Sequence, residues 1–250
     1  MKFLLVAFLM GLSVILKAQC RPATAAENAA YERVVKELQR QFTTVTPNGS
    51  WRVFDEKHSM GNLEVTSEWG GFTHLCTDRY DLIMENSELA VVRKAELDTV
   101  KAAPTVPTSL YVHRDTMYKE NPNAIVQRAR DTYSVSVEMN LGNYRLQHLE
   151  SARIVENTQA ISVPSSPVAL EVRLKPDLQG AIGRQETVIL LGGWNPQLIK
   201  NGQDTRYQPK FKKGGKLVEN IVVTITAPVD IARQIIAKID WKAIDGVLLK

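Results

Sequence analysis

Cysteine is almost missing from this chain: Cys20 and Cys76 are the two present in 250 residues. A fold stapled by several bridges is therefore excluded, and the core has to come from apolar burial. Histidine is nearly as scarce. His58, His74, His113 and His148 include no pair two, three or four residues apart, so the local spacing that marks a zinc site on a helix or strand is missing. The sequence also lacks a Gly-x-Ser-x-Gly elbow, a Ser-x-x-Lys motif and any Walker or dinucleotide glycine pattern. Gly180-Ala181-Ile182-Gly183 and Gly214-Gly215-Lys216 are too short to cradle phosphates and read as turns. On these grounds the chain is expected to hold no metal and no cofactor.

One apolar run is long, and it opens the chain. Lys2 gives a positive start, Phe3 to Leu16 is dominated by apolar side chains, and Ala18-Gln19 offers a small-residue junction. As a helix that run would reach about 21 Å, short of the roughly 30 Å of a bilayer core. Residues 1–18 therefore read as a signal peptide cut after Ala18. The rest, 19–250, is then an exported chain, periplasmic or extracellular, with no transmembrane span. Cys20 raises an alternative, a lipid anchor, although Gln19 and Lys17 stand where a lipoprotein site wants a small and an aliphatic residue. An oxidising compartment would also let Cys20 pair with Cys76. Since chain ends are usually loose, the simpler reading is two unrelated thiols.

Charge of one sign is also lacking. Loss of Lys2 and Lys17 with the leader lowers the net charge from +4 to +2, too little for the concentrated basic face of a nucleic-acid binder. Hydrophobic residues make up 44% of the chain, enough for a sizeable core in a single domain. Pro104 and Pro107 stiffen a candidate internal boundary near 101–109.

Thr24-Ala25-Ala26-Glu27 has the capping-box spacing, and Tyr31, Val34, Val35, Leu38 and Phe42 then recur on one helical face. Thr46-Pro47-Asn48-Gly49 ends that helix. Alternating residues predict strands at Trp51–Asp55, around Leu63 and Val65, over Tyr133–Leu141 and over Val168–Leu174. Thr187–Leu191 is a continuous apolar run suited to a more central strand, and Ile221, Val223 and Ile225 form one face of another. From Asp78 to Ala103 two readings compete: strands at Leu82–Met84 and Ala90–Val92, or a helix over 88–102 capped by Ser87. After Pro228 the stripe Ala232, Ile235, Ile236, Ile239, Ala243, Val247 predicts one final amphipathic helix. The expected class is α+β, an antiparallel sheet wet on one face and packed by an N-terminal and a C-terminal amphipathic helix.

Four constellations carry chemistry. Asp78, Asp81 and Glu85 would share one face if helical and could serve as an acid pair with a loop histidine such as His74. His74 and Cys76, two apart on a strand, point to one face, where the thiol reads as packed and inert. Trp69, Phe72 and Trp194 lie beside glycine turns and could present flat platforms to a glycan or a partner's apolar group, the competing reading being rings folded into the core. Lys210, Lys212, Lys213 and Lys216 surround Phe211 in a loop that could meet anionic groups or simply be a solvated hairpin tip. The expected function is therefore an exported non-catalytic protein that binds a protein, glycan or envelope component, or serves an envelope structural role. The alternatives are a secreted hydrolase with a loop-assembled acid and histidine site, and an accessory subunit anchored through Cys20.

Overall fold

The computed structural model describes residues 20–45, 47, 49–66, 74–76, 79–88, 132–146, 155–174, 185–201, 204–210 and 218–248. Its first long element, α1 (Ala25–Thr44), starts where the capping box predicts. The Thr24 hydroxyl accepts from the Glu27 N–H at 3.3 Å, and the Glu27 carboxylate accepts from the Thr24 N–H at 2.7 Å. Two donors that a helix start leaves free are thereby satisfied. Tyr31, Val34, Val35, Leu38 and Phe42 are fully buried. Each such side chain removed from water contributes about 1.5–3 kcal/mol before entropy is subtracted, which is why the apolar stripe fixes the helix against the rest of the molecule.

Preceding α1 is the short strand β1 (Arg21–Pro22), and following it in chain order are β2 (Trp51–Lys57), β3 (Glu64–Thr66), β4 (His74–Leu75), β5 (Arg79–Asn86), β6 (Thr132–Met139) and β7 (Tyr144–Arg145). Next come β8 (Val155–Ala160), β9 (Val168–Leu174), β10 (Gln185–Gly192), β11 (Ile199–Asn201), β12 (Asp204–Tyr207) and β13 (Asn220–Ala227). Seven of them form one antiparallel sheet in the order β2-β5-β6-β13-β10-β9-β8. Two smaller sheets, β1-β3-β4 and β11-β12-β7, accompany it. The class is α+β. Both outermost strands of the large sheet carry a register shift, at Val53/Asp55 in β2 and at Val155/Asn157 in β8, a device that twists an edge out of line for stray pairing.

Burial corrects the expectation of a sheet wet on one face. On the helix side, Tyr80, Leu82, Tyr133, Val135, Ile189, Ile221 and Val223 join the α1 stripe in one apolar cluster. On the opposite side, Val168, Leu170, Val172, Val188, Leu190 and Val222 form a second cluster with Leu146, Trp194 and Tyr207. Strands β9, β10 and β13 are thus covered on both faces, as the unbroken run at Thr187–Leu191 implied for β10.

The C-terminal region also differs from its sequence reading. One helix was expected, and there are two, α2 (Val229–Lys238) and α3 (Trp241–Val247). Asp240 separates them, its carboxylate accepting from the Ala243 N–H at 3.0 Å as the N-cap of α3. The Asp240 N–H in turn donates to the Gln41 side chain of α1 at 3.1 Å. Phe42 and Trp241 meet edge to face at 6.2 Å. Among the described residues no helix is long and apolar enough to cross a membrane.

Candidate functional site

The N-terminal end is clasped. Strand β3 pairs with β1 on one side and β4 on the other, which brings the residues just outside that sheet together, and Cys20 and Cys76 are joined by a disulfide with Cα atoms 6.0 Å apart. This corrects the reading of two unrelated thiols. In this structure the Cys20 sulfur, which a lipid chain would need, is bonded to Cys76. Beside the bridge, Arg21 makes a fork of two 2.8 Å hydrogen bonds to Glu27. That guanidinium, helped by the Thr24 donors, holds the Glu27 carboxyl down at about 2.

A second concentration of polar groups lies at one end of the central strands and has no counterpart in the sequence reading. Asn140, Glu219, Asn220 and Asp245 are all buried. The Asn220 side chain both accepts from the Leu141 N–H, at 3.0 Å, and donates to the Leu141 carbonyl, at 3.2 Å. The Asn140 side chain accepts from the Glu219 N–H at 2.8 Å, and Asp245 accepts from the Gly192 N–H at 3.2 Å. Asn140 and Gly192 have φ of +53° and +81°. At Gly192 a Cβ would lie 2.3 Å from the Glu219 carbonyl oxygen, so glycine is required there by backbone conformation and by contact alike. These groups hold the ends of β6, β10 and β13 together across nearly eighty residues of sequence. The signal missed was Glu219-Asn220 at the entry to the strand that carries Ile221, Val223 and Ile225.

The remaining polar region is the outer face of the sheet, on the side away from the helices. Register places Asp81 beside Ser136 and Ser136 beside Thr224, with Ile83, Ser134 and Thr226 as the next row. All six are half-buried. Next to them Tyr144 is desolvated and faces the charges of Glu186 and Glu138, so its phenol is held protonated well above the ordinary tyrosine range. A half-buried hydroxyl row edged by carboxylates can hydrogen-bond a polar ligand in both directions.

The acid pair is not assembled as expected. Residues 79–86 are a strand, so the helical face proposed for Asp78, Asp81 and Glu85 does not exist. Asp81 and Glu85 are on one strand face about 13 Å apart, and each has its own cation: Arg79 bonds Asp81 at 2.8 Å, and Arg52 bonds Glu85 at 2.7 Å. Asp78 lies outside the described residues. His58 is exposed and its Nδ1 accepts from the Met60 N–H at 3.3 Å. The backbone of His74 is in β4, while His113 and His148 lie outside the described residues. Among the described residues no group of three histidine, cysteine or acidic side chains converges as metal ligands would.

Trp194 is not a platform. It is 3% exposed, packs in the second apolar cluster and donates its indole N–H to the Ile221 carbonyl at 3.2 Å. Burial of the ring with its one donor satisfied is the usual fate of a core tryptophan. Trp69 and Phe72 lie outside the described residues. Lys210 is exposed, with its backbone N–H bonded to the Gly193 carbonyl, and Lys212, Lys213 and Lys216 lie outside the described residues. Beyond Glu88, so does the helix expected over 88–102. The Glu88 N–H is met by the Asn86 side chain at 3.0 Å. The candidate boundary near 101–109 lies outside them as well.

Compared with protein-family models, with curated proteins and with solved structures, the chain finds no match.

Proposed function

We propose that this is an exported, non-catalytic binding protein of the cell envelope, whose hydroxyl-lined sheet face receives a polar envelope component such as a glycan strand. The observation that carries the reading is the division of the outer face. One half is apolar and buried beneath Trp194 and Tyr207, whereas the other presents Ser134, Ser136, Thr224 and Thr226, with Asp81 and Glu85 each in an ion pair with an arginine. Two carboxylates about 13 Å apart along one strand, each on its own cation, are placed for hydrogen bonding to a ligand and not as an acid and base converging on one bond. The Cys20–Cys76 bridge supports residence in an oxidising compartment.

The test is to express the full chain in a bacterium, release the periplasm by osmotic shock and sequence the N-terminus of the recovered protein. That protein is then sedimented with purified cell-wall sacculi. Expected are a start at Gln19, retention on the sacculi, and about tenfold weaker retention for Ser134→Tyr/Ser136→Tyr at unchanged helix content. Retention indifferent to that double change, a start at Met1 in the cytoplasm, or hydrolysis of sacculi abolished by Asp81→Asn would overturn the reading.

A further inference from the structure

We propose that two copies of this chain join through β2, edge to edge and antiparallel, about a two-fold axis between Val53 and Phe54. The proposal stands apart from whatever the hydroxyl-lined face binds.

Strand β2 is outermost in the seven-stranded sheet, so one side of its backbone has no ladder partner among the described residues. Val53 and Phe54, 42% and 64% exposed, are the large apolar side chains that the described surface leaves in water. They are adjacent and sit at the middle of this edge. The register shift on β2 determines what surrounds them. Arg52 pairs with Glu85 and Asp55 pairs with Ile83; Glu85 and Ile83 are two apart on β5 and therefore share a face. Arg52 and Asp55, three apart on β2, are brought by the bulge to that same face, where a regular strand would set them on opposite faces.

This parity is what a two-fold strand pairing requires. Residues opposite one another in an antiparallel ladder lie on one face of the sheet. With the axis between Val53 and Phe54, Val53 stands opposite Phe54 of the second copy, and Arg52 stands opposite its Asp55. Symmetry repeats both pairs. The result is an apolar centre flanked by two pairs of opposite charge. The Arg52 side chain is 62% exposed and that of Asp55 40% exposed, so each can take a second partner beyond Glu85 and Lys57. An unrelated strand would bring charges in a different order against the same edge, and the bulge would misalign its hydrogen bonds, so the features that guard the edge against other chains leave a second copy as the matching occupant. Strand β8, at the far edge, offers one charge, Glu156, in Val155–Ala160, and no comparable self-match.

Sedimentation of the disulfide-intact mature chain tests the pairing through charge reversal. Arg52→Asp alone and Asp55→Arg alone each set like charges opposite one another twice. Each is expected to weaken self-association by about tenfold or more. Mixing the two variants restores opposite charges at both positions, so a mixed dimer as stable as the wild-type one is expected. Because Arg52→Asp also strips Glu85 of its partner, its near-ultraviolet circular dichroism is compared with the wild type. If it fails to fold, Phe54→Lys replaces it alongside Asp55→Arg, and both are expected to be monomeric. A monomeric wild-type chain, dimerisation unaffected by these reversals, or folded variants that stay monomeric when mixed would overturn the proposal. So would a wild-type chain that pairs only with other proteins.

Discussion

At the scale of single residues, most of the buried polar chemistry holds backbone in place, and Glu27 shows what that implies for pH. Its carboxylate is bonded by the Arg21 fork and by both donors of Thr24, which lowers its pKa from the ordinary 4.5 to about 2. The folded value lies below the unfolded one. The stabilisation is therefore complete above about pH 5 and is mostly lost as the pH falls to 2, where the unfolded carboxyl is protonated and the folded one half so, the remainder disappearing below 2. Glu27→Gln is expected to melt several degrees below the wild type at pH 7, with the two melting curves converging as the pH is lowered to 2. A gap that stays constant across that range would mean that the charge of Glu27 contributes nothing.

Elements were legible where their determinants are local. The capping box and the stripe from Tyr31 to Phe42 are written within twenty consecutive residues, and α1 follows them. Alternation predicted β6 and β9 for the same reason. The break between α2 and α3 was hidden because Ile239 and Ala243 continue an apolar spacing of four straight through it, so the stripe outweighed the cap residue between them. Asp240 ends one helix and starts the next through its bond to the Ala243 N–H. Asp240→Ala should accordingly cost about 0.5–2 kcal/mol in denaturant unfolding at unchanged m-value, and a loss below the error of the measurement would show that tertiary contacts alone position α3. The strand at 79–86 was ambiguous because its apolar residues Leu82, Ile83 and Met84 are consecutive, and pairing with β2 and β6 decided the matter. The polar cluster was illegible for a similar reason: Asn140 and Asn220 make sense only once β6 and β13 are neighbours.

At the scale of the whole molecule, the three sheets and three helices of the described residues are tied by a few long-range links, of which the disulfide is the covalent example. It closes a loop over a sequence separation of 56 residues, and restricting the unfolded chain to that extent is worth about 4 kcal/mol on the chain-entropy account. Cys20→Ser/Cys76→Ser is expected to lower unfolding stability by at most about that amount while preserving the far-ultraviolet spectrum; undiminished stability would show that β1, β3 and β4 are held by packing alone. The order β2-β5-β6-β13-β10-β9-β8 has a further consequence. Its middle strand is the last to be synthesised. Until residues 220–227 emerge, β2-β5-β6 and β10-β9-β8 are two ribbons not yet joined, and one edge each of β6 and β10 lacks its ladder partner. A nascent chain of this sequence therefore cannot close its central sheet until nearly its whole length has been made.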